Sequence, residues 1–230
     1  MNKKYEIYTK DFLKDGNGVR STRKFLQTII KLFAEESFQF YDYWGEFPFI
    51  YSEKQVNSVV IPAIHKYTNN IWLEQPFKKT KGNQRFLDIA TTKGKNIYLI
   101  ELKHSWNSKN NNIAKYTDNE WEKAIEQIKD INRETIGNYF NYEDYNIFKI
   151  ALMVMPTYIS NKINHNILNL SALEYTKKLI YEYQQYLDQN YQANFIGTIK
   201  ITNPLKYEHE FLNMKQLYPF ISFIAKIEKI

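Results

Sequence analysis

The chain has 230 residues, no cysteine and a formal charge of +6 at pH 7. This length suits one sizeable core with an added subdomain and is short for two independent domains, and a hydrophobic content of 43% with 17% aromatic residues excludes a disordered chain. Without cysteine there are no disulfides, thiolate zinc sites, cysteine nucleophiles or Cys-ligated iron–sulfur clusters, which fits a reducing cytoplasm, while the excess of positive charge favours a polyanionic partner such as nucleic acid.

The opening MNKKYEIYTK leads into no apolar stretch of the kind a signal peptide needs, and no apolar run in the chain reaches membrane-spanning length. No membrane partner is expected. Residues 1 to 20 read as a polar opening with a turn at Asp15-Gly16-Asn17-Gly18. Ser21 to Glu36 then reads as an amphipathic helix with Phe25, Ile29, Leu32 and Phe33 on one face. Glu35 and Glu36 close it, either as a solvated helix end or as spare acids. The aromatic stretch FQFYDYWGEFPFIY, with Gly45 and Pro48, reads as a packed irregular connection. Residues 1–50 are thus expected to form an N-terminal helical extension on a core spanning 51–230.

Ser52-Glu53-Lys54-Gln55 has the form of a capping box, and Val56, Val59, Val60, Ala63 and Ile64 follow at helical spacing, with Pro62 expected to kink the helix. Ile71 to Phe77 reads as a strand. It leads into a basic turn, where Lys78, Lys79, Lys81 and Arg85 either hold phosphates or form a solvated tip. Phe86 to Ala90 and Ile97 to Leu102 read as the two arms of a β-hairpin. The polar stretch after it carries Lys109 and Lys115, two further candidate phosphate contacts. A helix is expected from Asn119 to about Ile136, with Gln127 on its apolar stripe. Phe148 to Met155 reads as a strand buried on both faces and ended by Pro156. Ser171-Ala172-Leu173-Glu174 is a second capping box opening a helix, Phe195 to Thr202 reads as a strand, and Phe220 to Ala225 reads as a late strand covering a sheet edge. The order implies an α/β fold, a mixed central sheet flanked by helices.

The hairpin carries the chemistry. Strand side chains alternate faces, so Ile97, Leu99, Glu101 and Lys103 share one side of their strand. Asp88 interrupts the apolar run of the partner arm and can pair beside Glu101. Two carboxylates buried together are costly unless a cation neutralises them, and hard divalent metals prefer oxygen ligands. Such a metal beside an ammonium suits phosphodiester hydrolysis. The plainer reading of Glu101-Leu102-Lys103 is a strand-face ion pair with an unrelated aspartate.

Asp88, followed after twelve residues by Glu101-Leu102-Lys103, resembles the signature of the PD-(D/E)xK nuclease superfamily, with Leu87 standing where the family's name has proline. The resemblance covers roughly residues 52 to 156. It implies a restriction-endonuclease-like fold with Asp88 and Glu101 as ligands of Mg²⁺, for which Mn²⁺ can substitute, and with Lys103 positioning the attacking water. It also implies that the first core helix adds an auxiliary acid, Glu53, and that the following helix adds Gln127. Glu53 has an equal claim as an acid placed to suit its helix dipole. The expected activity is a metal-dependent endonuclease acting on DNA, in restriction, defence or DNA processing. A double-strand cutter would act as a two-fold homodimer. The other reading is a catalytically inactive nucleic-acid-binding or structural interaction domain of the same fold.

Overall fold

Residues 3–78, 84–108, 114–136, 144–160, 166–186 and 191–230 are described by a computed structural model. Tyr5–Asp11, which the sequence reading takes as polar opening, forms the strand β1. It lies at a sheet edge and is only half-buried, so it needs few apolar side chains: Tyr5 and Ile7 face the core. The first helix, α1, runs Val19–Trp44, well beyond the expected end at Glu36. Ala34, Ser37 and Phe38 continue its buried stripe, so the aromatic stretch supplies its last two turns rather than an irregular link. Gly45 ends it in the left-handed region, donating its N–H to the Tyr41 carbonyl at 2.8 Å.

Helix α2 spans Glu53–Thr68 and continues through Pro62. The expected capping box is not made, because Ser52 Oγ donates to the Gln55 side chain instead of accepting from the backbone. Strands β2 (Trp72–Lys78), β3 (Gln84–Lys93) and β4 (Asn96–His104) follow, and the β3–β4 turn is tighter than expected, with Lys93 paired to Asn96. The polar stretch after β4 is not all loop: it holds the short strand β5 (Asn107–Ser108) and the start of helix α3 (Lys115–Lys129). A separate turn, α4 (Arg133–Ile136), takes up the end of the helix expected to reach Ile136. Strand β6 covers Asn146–Ser160, so Pro156 does not end it. After it come α5 (Ala172–Tyr186), β7 (Phe195–Ile201), β8 (His209–Phe211) and β9 (Met214–Lys229). The capping box at α5 is made, Glu174 N–H donating to Ser171 Oγ at 3.2 Å and Ser171 N–H to Glu174 Oε2 at 2.8 Å.

All the described strands belong to one mixed sheet in the order β1-β7-β9-β6-β4-β3-β2, with β5 on β6 and β8 on β9. The β4–β6 and β5–β6 pairs are parallel and the others antiparallel. Far from covering an edge, β9 lies inside the sheet between β7 and β6, as its unbroken apolar run demands. Helices α1 and α2 cover one face over a core rich in aromatics, where Phe25 stacks on Tyr98 at 4.0 Å and Phe33 meets Phe223 edge-on at 4.9 Å. Helices α3 and α5 cover the other face, where Tyr175 stacks on Phe220 at 4.0 Å. The segment 1–50 contributes a strand to this sheet and a helix to the first of these cores. No helix among the described residues is long and apolar enough to cross a membrane.

Gly18, at the start of α1, has φ 82, and a Cβ there would stand 2.9 Å from Phe148 Cε2 and 3.0 Å from Asn146 Cβ. Gly45 has φ 73 but open space around it. Gly45→Ala should therefore cost about 1 kcal/mol, for the backbone alone, and Gly18→Ala a further ~1–3 kcal/mol for overpacking. Urea unfolding of the two variants checks this, and equal losses would remove the packing argument.

Candidate active site

The acidic cluster forms where the hairpin ladder stops. Regular β3–β4 pairing ends with Ile89 opposite Ile100, one residue short of Asp88 and Glu101. Beyond that point the Asp88 carboxylate takes over from a backbone carbonyl, accepting the Leu102 N–H at 2.7 Å. On the other side of β3, Glu74 falls between the Leu73–Ile89 and Gln75–Leu87 pairs, and it holds φ 49, an uncommon conformation for a residue with a side chain. The ladders on both sides of Asp88 are thus broken at Asp88, which releases its side chain from the pleat.

On β4 the expected alternation holds: Tyr98, Ile100 and Leu102 enter the aromatic core, whereas Ile97 and Leu99 enter the core under α3. Glu101 and Lys103 continue the latter side. Glu101 is 2% exposed, and Lys103 Nζ donates to its Oε1 at 2.9 Å. The same ammonium donates to the Leu102 carbonyl at 3.1 Å and lies 4.0 Å from Asp88 Oδ2 and 3.9 Å from Glu53 Oε2. Four oxygens from β3, β4 and α2 thus surround one cation.

Burial pushes the Glu101 carboxyl up to about 7; the charge of Asp88 adds to the shift and Lys103 opposes it. Burial alone would lower the Lys103 ammonium, but Glu101, Asp88 and Glu53 together outweigh it and hold it above its ordinary value. Glu53 is also raised, by burial first, against the pull of Lys103 and a hydrogen bond from the His104 backbone. Three carboxylates facing one ammonium leave a deficit of positive charge. Among the described residues no three Asp, Glu or His side chains come close enough to form a ready-made metal site. The donors present, the neighbouring carboxylates of Asp88 and Glu101 and a strand-end carbonyl, are the hard oxygens that Mg²⁺ takes; Asp88 and Glu101 would hold it, and Glu53, the third expected ligand, stands beside Lys103 as a further acid.

Helix α3 is tied to this strand end by Thr117, whose Oγ1 donates to the Trp106 carbonyl at 3.1 Å and lies 2.7 Å from Ser105 Oγ. It forms one wall of a cleft of about 960 Å³ into which Lys103 opens; Arg85 and Phe86 of β3 form the other. Gln127 lines this cleft and makes no hydrogen bond to the cluster among the described residues. Beside it the helix presents Asn119, Glu122, Lys123 and Glu126, a polar stripe that the sequence reading missed although its i, i+3, i+4, i+7 spacing carries the signal. Glu120 acts electrostatically on Glu53 and pairs with Lys123 at 2.6 Å. Of the proposed phosphate contacts, Arg85 is in the cleft and Lys115 is exposed at the start of α3, outside its lining. Lys79, Lys81 and Lys109, and the side chain of Lys78, lie outside the described residues. Glu35 and Glu36 are no part of the cluster: they pair with Lys31, at 3.6 Å, and Lys66.

Because the Glu101 carboxyl is raised in the fold, its contribution to stability is complete below its unfolded value near 4.5 and is lost as pH rises through about 7. His104, buried with Nε2 against the Phe49 carbonyl at 2.8 Å, is lowered by burial to about 4, so its contribution is lost in the opposite sense, as pH falls from 6.5. The two slopes overlap and partly cancel in the parent chain. A Glu101→Gln variant removes one of them, so its stability relative to the parent should grow between pH 4.5 and 7.5, by up to ~3 kcal/mol without divalent metal. Urea unfolding across this range checks it, and a pH-independent difference would show that Glu101 is ionised throughout.

No family model, curated protein or solved structure matches this chain, so the geometry of the cluster itself carries the functional argument.

Proposed function

We propose that the chain is a Mg²⁺-dependent nuclease of the restriction-endonuclease-like type, hydrolysing phosphodiester bonds in DNA. The observation that carries this reading is the ring of four oxygens, from Asp88, Glu101, Glu53 and the Leu102 carbonyl, around Lys103 at the mouth of an open cleft. A structural ion pair requires one acid for one lysine. Here three acids are spent on one, and the deepest of them is held so far from its preferred charge state that a further cation would relieve it. When bound, the metal supplies Lewis-acid stabilisation of the phosphate and a more acidic water.

The rest falls to the chain's own groups. Asp88 of β3 and Glu101 of β4 would hold the cation. Lys103, with its charge secured by its neighbours, orients the attacking water and balances charge developing on the phosphate. Glu53 sits at the start of α2 as an auxiliary acid, and Arg85 and Lys123 on the cleft walls hold the flanking phosphates. One chain offers one such cluster, so cutting both strands of a duplex would need a two-fold pair of chains.

Cleavage of plasmid and oligonucleotide DNA with Mg²⁺ or Mn²⁺ tests the reading. Asp88→Ala and Glu101→Ala should abolish cleavage while the fold survives, and Lys103→Ala should lose rate while keeping metal affinity. Calorimetry at pH 6.5 in two buffers of different ionisation heat should show release of up to about one proton as the metal binds, because Glu101 must ionise. Full activity in either acid variant would overturn the assignment. DNA binding without metal binding would make the chain a silent nucleic-acid-binding module.

A further inference from the structure

A second cleft opens beside the acidic cluster, on the side of the sheet covered by α2. Its volume is about 450 Å³, within the range that holds one small ligand, and its walls are the rings of Tyr51, Trp106, Tyr158, Phe211 and Tyr218. Three of these rings are open to water, Phe211 at 50% exposure, Tyr51 at 43% and Tyr158 at 37%, whereas Tyr218 is buried. Exposed aromatic surface gathered in one place is costly in a chain with no use for it.

The walls are fixed in advance. Trp106 donates its indole N–H to the Ile50 carbonyl at 3.2 Å and meets His104 edge-on at 4.7 Å. His209 is held through Nδ1 by Glu46 Oε2 at 2.8 Å and stands edge-on to Tyr51 at 5.7 Å. That bond leaves His209 Nε2 for a ligand. Gln216 Oε1 accepts from the Tyr218 hydroxyl at 2.8 Å, which leaves the Gln216 amide NH₂ to donate. Flat apolar walls with a donor and a second ring nitrogen at the floor match a nucleobase, whose faces stack and whose edge alternates acceptors and donors.

The position narrows this further. Tyr51 stands two residues before Glu53, and Trp106 three residues after Lys103. An extended backbone advances at most ~3.5 Å per residue, so the backbone that carries these two walls lies within roughly 10 Å of the backbone that carries Glu53 and Lys103, a span of the order of a nucleotide or two along a strand. A base inside a duplex is covered on both faces by its neighbours and cannot enter such a slot unless it is unpaired or extruded.

We propose that the aromatic cleft holds one unpaired nucleobase adjoining the scissile phosphate, so that the substrate is single-stranded, flapped or frayed nucleic acid rather than an intact duplex. This rests on the nuclease reading for the identity of the neighbouring cluster. The chain's net charge of +6 favours the polyanion that carries the base.

The test uses 12-nucleotide single strands of DNA and of RNA, each with one central 2-aminopurine, and the matched duplexes, in EDTA so that no cleavage occurs. The full chain should bind a single strand at least tenfold more tightly than its duplex and quench the 2-aminopurine by stacking. Phe211→Ala and Tyr51→Ala should each weaken single-strand binding roughly tenfold and restore the fluorescence, while Phe211→Trp keeps both. Phe211 is half exposed, so its variants should unfold at the parent's temperature, which separates loss of stacking from loss of fold. Stacking that depends on Phe211 in a chain that cleaves nothing with Mg²⁺ would uphold the base site and overturn the nuclease reading. Asp88-dependent cleavage with single-strand binding unchanged in both alanine variants would do the reverse. Equal affinity for single strand and duplex would also overturn the base site.

Discussion

A carboxylate driven into the end of a central strand sets the terms for everything around it. Glu101 occupies a position that its strand neighbours Ile97 and Leu99 would fill with apolar side chains, and at 2% exposure its ionised form loses nearly all of its hydration. Such burial costs several kcal/mol unless a cation and hydrogen bonds offset it. Lys103 supplies part of the compensation from the same strand. Asp88 and Glu53, drawn to that ammonium from β3 and α2, add negative charge faster than one lysine can cancel it. A glutamine at 101 would satisfy packing without this conflict. The arrangement therefore makes physical sense as a place where more positive charge is meant to arrive.

The two cores keep the cluster from relaxing. Strand β4 sends alternate side chains into opposite cores, and it is paired on one side to β3 and on the other, in parallel, to β6. A slip of one residue would throw Glu101 and Lys103 into the aromatic layer beneath α2 and bring Tyr98 and Leu102 under α3. The cost of that exchange is the reason the acids stay where they are. On the β2 and β3 sides of the cluster, pairing departs from regular at Asp88 and the Glu74 opposite it, where a side chain has to leave the pleat.

The hairpin, the alternation along β4, the two-faced burial of β6 and the meeting of Asp88, Glu101, Lys103 and Glu53 could all be read in the sequence, because each rests on a period-two pattern or a helix start within a few residues. What escaped reading depends on distant partners. Tyr5–Asp11 has the composition of a polar lead, and only its place on β7 makes it a strand. The aromatic residues after Glu36 look like a knot of packing until α1 is seen to carry them as its last turns, with Phe38 buried, Phe40 and Tyr41 packed on the core and Tyr43 and Trp44 exposed. β9 looks like a short edge strand because its flanks are charged, yet its apolar centre lies between β7 and β6. The aromatic cleft is hidden for the same reason: Tyr51, Trp106, Tyr158 and Phe211 come from four separate stretches of the chain.

Pro156 shows how one residue shapes the neighbourhood of the site. Proline has no N–H to give, and inside a sheet it leaves a gap in the ladder. Strand β6 continues through it, but the partner chain does not stay regular: β4 ends at His104 opposite Val154, and pairing resumes with Asn107 opposite Thr157, in the same register. Ser105 and Trp106 occupy the gap. Ser105 N–H still donates to the Val154 carbonyl at 3.2 Å, and Thr117 Oγ1 donates to the Trp106 carbonyl and so seats the first turn of α3 on the strand end. The consequence is double. The polar stripe of α3 is aimed across Lys103 to form one cleft, and the indole of Trp106 is turned to the other face, where Ile50 fixes it as the wall of the second. A regular strand at this point would have carried the sheet straight past the acidic cluster and left room for neither.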